Sequence, residues 1–259
     1  MTRWSVELLL GGGLAAALYL LRRARSERAR LRQRLDLASQ ELERLQLSFA
    51  RFAPQEVIER IIAAGISTSA EKKEVTVLFA DLVGFTVLSE RLEPEALVRL
   101  LNGYFARMSR VITAHRGHVS KFIGDGILAL FGAIERNPWQ ATDAVHAALA
   151  MRAELEAYER ELGLDLPAPL RVGIGVHRGP VVAGVTGSHE LMEFTVIGQT
   201  VNLASRVERL TRKLGSDILV TDAVRSELDQ RFELRPLAPE PIRGIVDPVV
   251  TYAVEGYRG

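Results

Sequence analysis

Cysteine is absent from the 259 residues, which excludes a disulfide framework and any thiolate metal site and suits a reducing compartment. Net charge is nearly absent as well. At +1 for the whole chain there is no overall electrostatic argument for a polyanionic partner, and any charge argument must be local. No internal repeat is visible, which excludes a solenoid. Long apolar runs are scarce: Val6 to Leu21 holds 16 residues, interrupted by Glu7, where a comfortable membrane span uses roughly 20. What remains is ordinary in the useful sense, because 47% hydrophobic residues in a chain of this length suffice for one sizeable core within one or two domains.

The N-terminal run can still cross a bilayer if Trp4 and Tyr19 lie at the interfaces and the flanking arginines snorkel. Arg22 to Arg34 contains seven arginines against one glutamate, Glu27, a pattern that suits an anionic membrane surface rather than nucleic acid. A cleaved signal peptide and a buried core helix compete with the anchor, but no small-x-small cleavage site follows Leu21. With the arginine cluster after the run, the positive-inside rule puts everything beyond Leu21 in the cytoplasm, under an inner or plasma membrane. From Leu31 the apolar positions Leu35, Ala38, Leu42, Leu45, Phe49 and Phe52 follow at alternating steps of four and three. This seam predicts a parallel coiled coil, against the alternative of one amphipathic helix packed on its own domain. Pro54 breaks it, a helix is expected from Gln55 to Ala64, and Ile66 to Glu74 reads as linker. The expected division is an anchor over 1–21, a basic juxtamembrane and coiled-coil segment over 22–53, a linker helix and loop over 54–70, and a larger domain over 71–259.

Two stretches of that domain carry chemistry. VTVLFADLVGFT, Val75 to Thr86, delivers Asp81 to the end of a buried strand, with Gly84 in the turn beyond. KFIGDGILALFG places Asp125 between two glycines at the tip of a β-hairpin. Carboxylates that leave water need protonation, hydrogen bonds or cations, and an oxygen-only donor set suits Mg²⁺ or Mn²⁺ rather than zinc. Two such ions can clamp an in-line displacement at phosphorus. The plain alternative is that Asp81 caps a turn and Asp125 fills a Gly-Asp-Gly hairpin. A third stretch, EFTVIGQTVNLASRVER, puts Asn202 and Arg206 four apart on one face of a helix near its start, where amide and guanidinium can bind nucleotide oxygens. There the alternative is a helix cap and a solvated arginine.

Between these stretches, helices are expected over Pro94 to His115 and Pro138 to Leu162, closing at Gly117 and Gly163, with a hairpin from His118 to Phe131. His146, with no second histidine one turn away, reads as a packed helix residue rather than a ligand. Leu170 to Val176 and Val181 to Val185 read as two strands around a Gly-Pro turn. A strand over Glu190 to Ile197, a helix over Val201 to Leu214 and a strand over Asp217 to Thr221 follow, and the tail Leu234 to Val254 is expected to wrap the domain edge in short strands. The order β-α-β-β-α-β with appended strands is an α+β, ferredoxin-like fold.

Together the three motifs resemble the catalytic domain of class III nucleotidyl cyclases, over about residues 71 to 254. The resemblance implies the same fold and a set of roles: two divalent metal ions at Asp81 and Asp125, with neighbouring Leu82 as a further metal contact, and transition-state stabilisation by Asn202 and Arg206. It assigns base recognition to Lys121 and Thr195. Lys with Thr is similar to the class IIIb adenylyl cyclases, a branch that includes bicarbonate-responsive enzymes, whereas guanylyl forms usually carry Glu at the Lys121 position. The turn at Gly84, Phe85 and Thr86 is expected to cradle the triphosphate with backbone N–H groups, and Arg243 loosely matches a basic phosphate contact. Gln199 departs from the Asp that many relatives carry. The family builds each site from two subunits, one supplying the Asp pair and the other Lys121, Thr195, Asn202 and Arg206, so a homodimer of this chain suffices. The resulting expectation is a membrane-anchored homodimeric adenylyl cyclase acting on ATP. The rivals are a guanylyl cyclase and a non-catalytic nucleotide-binding or coiled-coil scaffold, while the absence of a GG(D/E)EF run counts against a diguanylate cyclase.

Overall fold

A computed structural model of the chain describes residues 70–163, 166, 168–187, 192–242, 245 and 248–259, together with 33–35, 37 and 40. The chain divides into two units, Met1–Glu59 and Arg60–Gly259. In the first, residues 33–35, 37 and 40 are helical, and Leu35, one of the seam positions, is 67% exposed. The rest of the expected coiled coil, the apolar run 6–21 and the helix expected over 55–64 lie outside the described residues. Among the described residues no helix is long and apolar enough to cross a membrane.

The second unit starts from β1 (Glu71–Leu82), whose alternate residues serve two cores. Leu78, Ala80 and Leu82 point to one layer, Val75 and Val77 to the other, as expected for a central strand covered on both faces. A short helix α1 (Phe85–Arg91) and a long one, α2 (Pro94–Ala114), follow. On α2, Leu100, Tyr104, Met108 and Ile112 recur every four residues and are fully buried. The hairpin β2 (His118–Ile123) and β3 (Gly126–Phe131) leads to α3 (Gln140–Leu162), whose alanines 141, 144, 147 and 148 are buried and let the helix lie close to the sheet. Strand β4 (Val172–Gly187) completes the first part. The order β2-β3-β1-β4, antiparallel throughout, is that of a ferredoxin-like βαββαβ unit, as the sequence predicts. Beyond it, β5 (Met192–Ile197) pairs with β4, and α4 (Gln199–Leu214) crosses over to β6 (Ile218–Thr221), which lies parallel to β4. A four-residue helix α5 (Asp222–Arg225) follows, and β8 (Thr251–Tyr257), between β6 and the edge strand β7 (Phe232–Pro236), closes the sheet.

The seating of α4 on β4 decides where the site lies. A Cβ on Gly175 would sit 2.2 Å from the Glu208 backbone nitrogen, and one on Gly173 would sit 2.4 Å from Thr211 Oγ1. Further along, one on Gly179 would be 2.8 Å from Thr200 Oγ1. These glycines form a groove without side chains, so the helix backbone rests almost on the strand and its start and end are fixed against known points of β4.

Three expectations need correction. The two strands around Gly179-Pro180 are one strand: Pro180 stands between the β6 ladder, which ends at Val176, and the β5 ladder, which begins at Val182. That edge carries no strand there, which is where proline's missing N–H is tolerated. Glu71 to Glu74, expected in the linker, belong to β1 because they pair with Pro180 to Ala183. Helices α1 and α5 were not anticipated, being too short to show a periodicity. His146 is a packing residue as expected, its ring 4.9 Å from that of Phe232 and 4.5 Å from that of Tyr257.

Candidate active site

β1 carries Asp81 to the end of the sheet, opposite Gly173 of β4, where the missing side chain lets Glu208 and Thr211 of α4 come close. The hairpin turn, with Gly124 at φ 63°, brings Asp125 back onto the same place. Its Oδ2 accepts a hydrogen bond from the Leu82 backbone N–H at 3.2 Å, so Leu82 touches the site through its main chain. A Cβ on Gly126 would lie in ordinary contact with Asp81 Oδ1 at 3.5 Å and more tightly against the Ile123 carbonyl at 3.1 Å, which places this glycine beside the carboxylate.

The electrostatics of the pair are those of crowded acids. Burial, a hydrogen bond shared with Asp81 and the repulsion between the two push the Asp125 carboxyl up to about 6, against the opposing Leu82 N–H. Asp81 has other company: its Oδ2 accepts from Arg212 Nη2 at 2.6 Å, and Arg212 Nη1 donates to Glu208 Oε1 at 2.8 Å. Glu208 is only 5% exposed. Burial pushes its carboxyl up to about 7, Arg212 draws it down, and Asp81 pushes it up again. Beneath them the phenol of Tyr104 is fully buried, its hydroxyl has no partner, and burial together with the charges of Asp81, Asp125 and Glu208 raises its pKa. Two carboxylates, Asp81 and Glu208, therefore share one guanidinium, while Asp125 shares a hydrogen bond with Asp81 and has no cation of its own among these contacts.

Among the described residues no group of three or more His, Cys, Asp or Glu is placed to hold a metal ion. The donor set nonetheless fits a hard divalent ion. Asp81 and Asp125 supply oxygens from two directions, and Mg²⁺ characteristically takes one or two carboxylates and fills its octahedron with water and phosphate oxygens.

The remaining predicted residues lie elsewhere. Lys121 is half-buried on β2, just past a register shift between Val119 and Lys121. Such a bulge re-aims the side chains that follow it. Ser120 Oγ reaches the Phe194 carbonyl at 3.5 Å, which sets this part of β2 beside β5, and Thr195 of β5 is 7% exposed. The chain neighbours of Lys121 and Thr195 are thus in contact. Asn202 is exposed and Arg206 half-buried on the first half of α4, whose cap is Gly198 rather than Asn202. Thr200 Oγ1 donates to the Pro180 carbonyl at 2.7 Å, while Arg212, near the other end, holds Asp81. Asn202 is therefore separated from the Asp81 contact by about 15 Å of helix, at 1.5 Å per residue. Gly84, at φ 78°, starts α1, so Phe85 and Thr86 present the first free N–H groups of that turn. Arg243 lies outside the described residues.

Sequence reasoning missed Glu208, Arg212 and Tyr104. A signal existed for the first two. Ala204, Val207 and Thr211 are the buried stripe of α4, Glu208 falls inside that stripe, and Arg212 follows it at i+4. A glutamate among core positions calls for a cation. Tyr104 falls on the apolar face of α2, where its hydroxyl leaves no pattern in the sequence to read.

Residues 67–256 match the adenylate and guanylate cyclase catalytic domain family. This chain belongs to that family. An adenylate cyclase of Anabaena cylindrica is 37% identical over 212 residues, covering 78% of this chain and 41% of the relative. The chain thus spans about two fifths of that protein's length. Among solved cyclases, the adenylyl cyclase CyaB of P. aeruginosa superposes with a TM-score of 0.69 at 32% identity, over 73% of this chain and 97% of that one. The guanylyl cyclase Cya2 superposes with a TM-score of 0.66 at 36% identity, over 73% and 95%. Cyclases for either base are thus similar to this domain to nearly the same degree, and base choice has to be argued from residues.

Proposed function

We propose that this cyclase domain converts ATP to 3′,5′-cyclic AMP and pyrophosphate at sites shared between two copies of the chain. The observation that carries the reading is the span of α4, with the Asp81 contact near its end and Asn202 near its start. A substrate phosphate bound at Asp81 and Asp125 is out of reach of the same chain's Asn202, and a second copy set head to tail brings its Asn202 and Arg206 to that phosphate. Each pair of chains then holds two equivalent sites.

Asp81 and Asp125 would hold two divalent ions, Mg²⁺ or Mn²⁺, with the Leu82 main chain alongside. When bound, these ions lower the pKa of the ribose 3′-hydroxyl and offset phosphate charge. That hydroxyl attacks the α-phosphorus in line, and pyrophosphate leaves. Arg206 and Asn202 of the other copy meet the charge that develops on the phosphoryl oxygens, and the Gly84–Thr86 turn takes the triphosphate. Arg243 is assigned to a phosphate contact on a loose resemblance alone. Membrane anchoring through residues 6–21, a coiled coil that keeps two chains in register and a bicarbonate response are part of the same reading and rest on the sequence.

Base choice rests on Lys121 and Thr195. A lysine ammonium only donates, and a threonine hydroxyl donates or accepts, so the pair suits an adenine edge with Lys121 carrying more of the selectivity. The guanylyl reading draws on Thr195, which is neutral, and on the likeness to Cya2. Loss of one hydrogen bond to a charged group corresponds to roughly tenfold to a hundredfold in selectivity. Lys121→Ala is expected to lower kcat/KM for ATP by that factor, and Thr195→Ala by less than about tenfold. Cyclisation of labelled ATP and GTP by the two variants and the parent chain, with Mg²⁺ or Mn²⁺, checks both. Preference of the parent for GTP would transfer the assignment to a guanylyl cyclase.

A further inference from the structure

Arg212 has no role in the reaction as described, yet it holds the carboxylate on which the metal site depends. We infer that Arg212 is a resident counter-ion of that site: it occupies Asp81 in the metal-free chain and withdraws to Glu208 when a divalent ion is bound. The inference rests on the reading of Asp81 as a metal ligand.

The geometry is specific. Arg212 Nη2 takes Asp81 Oδ2 at 2.6 Å while Nη1 keeps Glu208 Oε1 at 2.8 Å, so one planar guanidinium bridges two carboxylates that would otherwise repel. The two anchors differ. The Glu208 side chain is 7% exposed and pressed against Gly173, whereas that of Asp81 is 32% exposed and faces the hairpin through Oδ1. Glu208 is the fixed partner and Asp81 the exchangeable one. Giving up Asp81 leaves no buried charge unpaired, because Glu208, one turn back on the same helix, retains the guanidinium. A divalent ion arriving at Asp81 and Asp125 supplies the charge that Arg212 withdraws. When the ion leaves, Arg212 stands close enough to return and to keep Asp81 and Asp125 from facing each other as bare anions. Metal affinity is therefore set partly by competition with a side chain.

The test is a Mn²⁺ titration of the full chain without nucleotide, reading free Mn²⁺ by its electron paramagnetic resonance signal. Asp81→Asn is expected to weaken binding by at least about tenfold. Arg212→Gln, which removes the competitor, is expected to tighten it by roughly threefold to fivefold, the upper part of the range for a partly exposed ion pair. Lys213→Gln removes the same charge one residue away, where its partner is Glu240, and is expected to stay within about twofold of the parent chain. Should Arg212→Gln not fold, Arg212→Lys replaces it: a single ammonium does not span both carboxylates, and tightening of about twofold is expected. Unchanged or weaker Mn²⁺ binding by the Arg212 variants, with Asp81→Asn still defective, overturns the counter-ion role alone. Tightening by Lys213→Gln equal to that of Arg212→Gln also overturns it, as a mere field effect. If Asp81→Asn binds Mn²⁺ like the parent, the metal assignment itself fails.

Discussion

Asp81→Ala and Asp125→Ala are each expected to reduce cyclic nucleotide formation by at least about a thousandfold, the scale on which a two-metal site loses function when a ligand is removed. Neither loss should come from unfolding. Asp81 lies at a strand end with its side chain 32% exposed, and Arg212 keeps Glu208 when Asp81 is gone. For Asp125 the expectation is sharper. Its carboxyl stands at about 6 in the folded chain against the usual 3.8, so the native state binds more protons than the unfolded state between these values, and stability falls as pH rises through that window. An alanine removes that penalty. Without metal, Asp125→Ala should therefore be inactive yet at least as stable as the parent at pH 8, with the advantage fading below about pH 4. Thermal melts in chelator at the two pH values, beside an activity assay, check this. Loss of structure in either variant would remove the reason for assigning the Asp pair to chemistry.

Arg206→Ala is expected to cost roughly a hundredfold to a thousandfold in kcat with a smaller change in KM, because its contact strengthens as charge develops on the phosphoryl group. Asn202→Ala belongs to the same class with a smaller loss. Both residues lie on the accessible side of α4, away from the Ala204–Val207–Thr211 stripe that seats the helix, so the fold should tolerate the change. Steady-state kinetics with ATP measure the split. A rise in KM with kcat intact would make Arg206 a ground-state binding residue instead.

What could be read beforehand follows from the range of each interaction. Asp81 at a strand end and Asp125 at a hairpin tip are local patterns, and their approach follows once β1 and β3 are neighbours. The ferredoxin-like order was equally legible, since α2 shows its apolar face and α3 ends on a capping glycine, Gly163, whereas the left-handed residue after α2 is Arg116 rather than the expected Gly117. The unbroken β4 was not legible. A Gly-Pro pair ordinarily ends a strand, and its tolerance here depends on a ladder gap formed by β5 and β6, both later in sequence. The glycines at 173, 175 and 179 acquire meaning only when α4 lies on them. The Asp81–Arg212–Glu208 bridge joins residues far apart in sequence, and only the Glu208–Arg212 half of it has a local signature. The anchor and most of the seam fall outside the described residues and remain proposals.

The claim that each site is completed by a second copy is tested most directly by mixing full-length Asp81→Ala chains with full-length Arg206→Ala chains. Each homodimer lacks one part at both of its sites. A mixed dimer has one site carrying both defects and one carrying neither. If chains exchange freely, half the dimers are mixed, and roughly a quarter of the parent activity per chain is expected to return. Fluorescence energy transfer between separately labelled chains reports the mixing in the same sample. Activity near that level supports the shared site, whereas efficient energy transfer without any recovered cyclic AMP formation would contradict it.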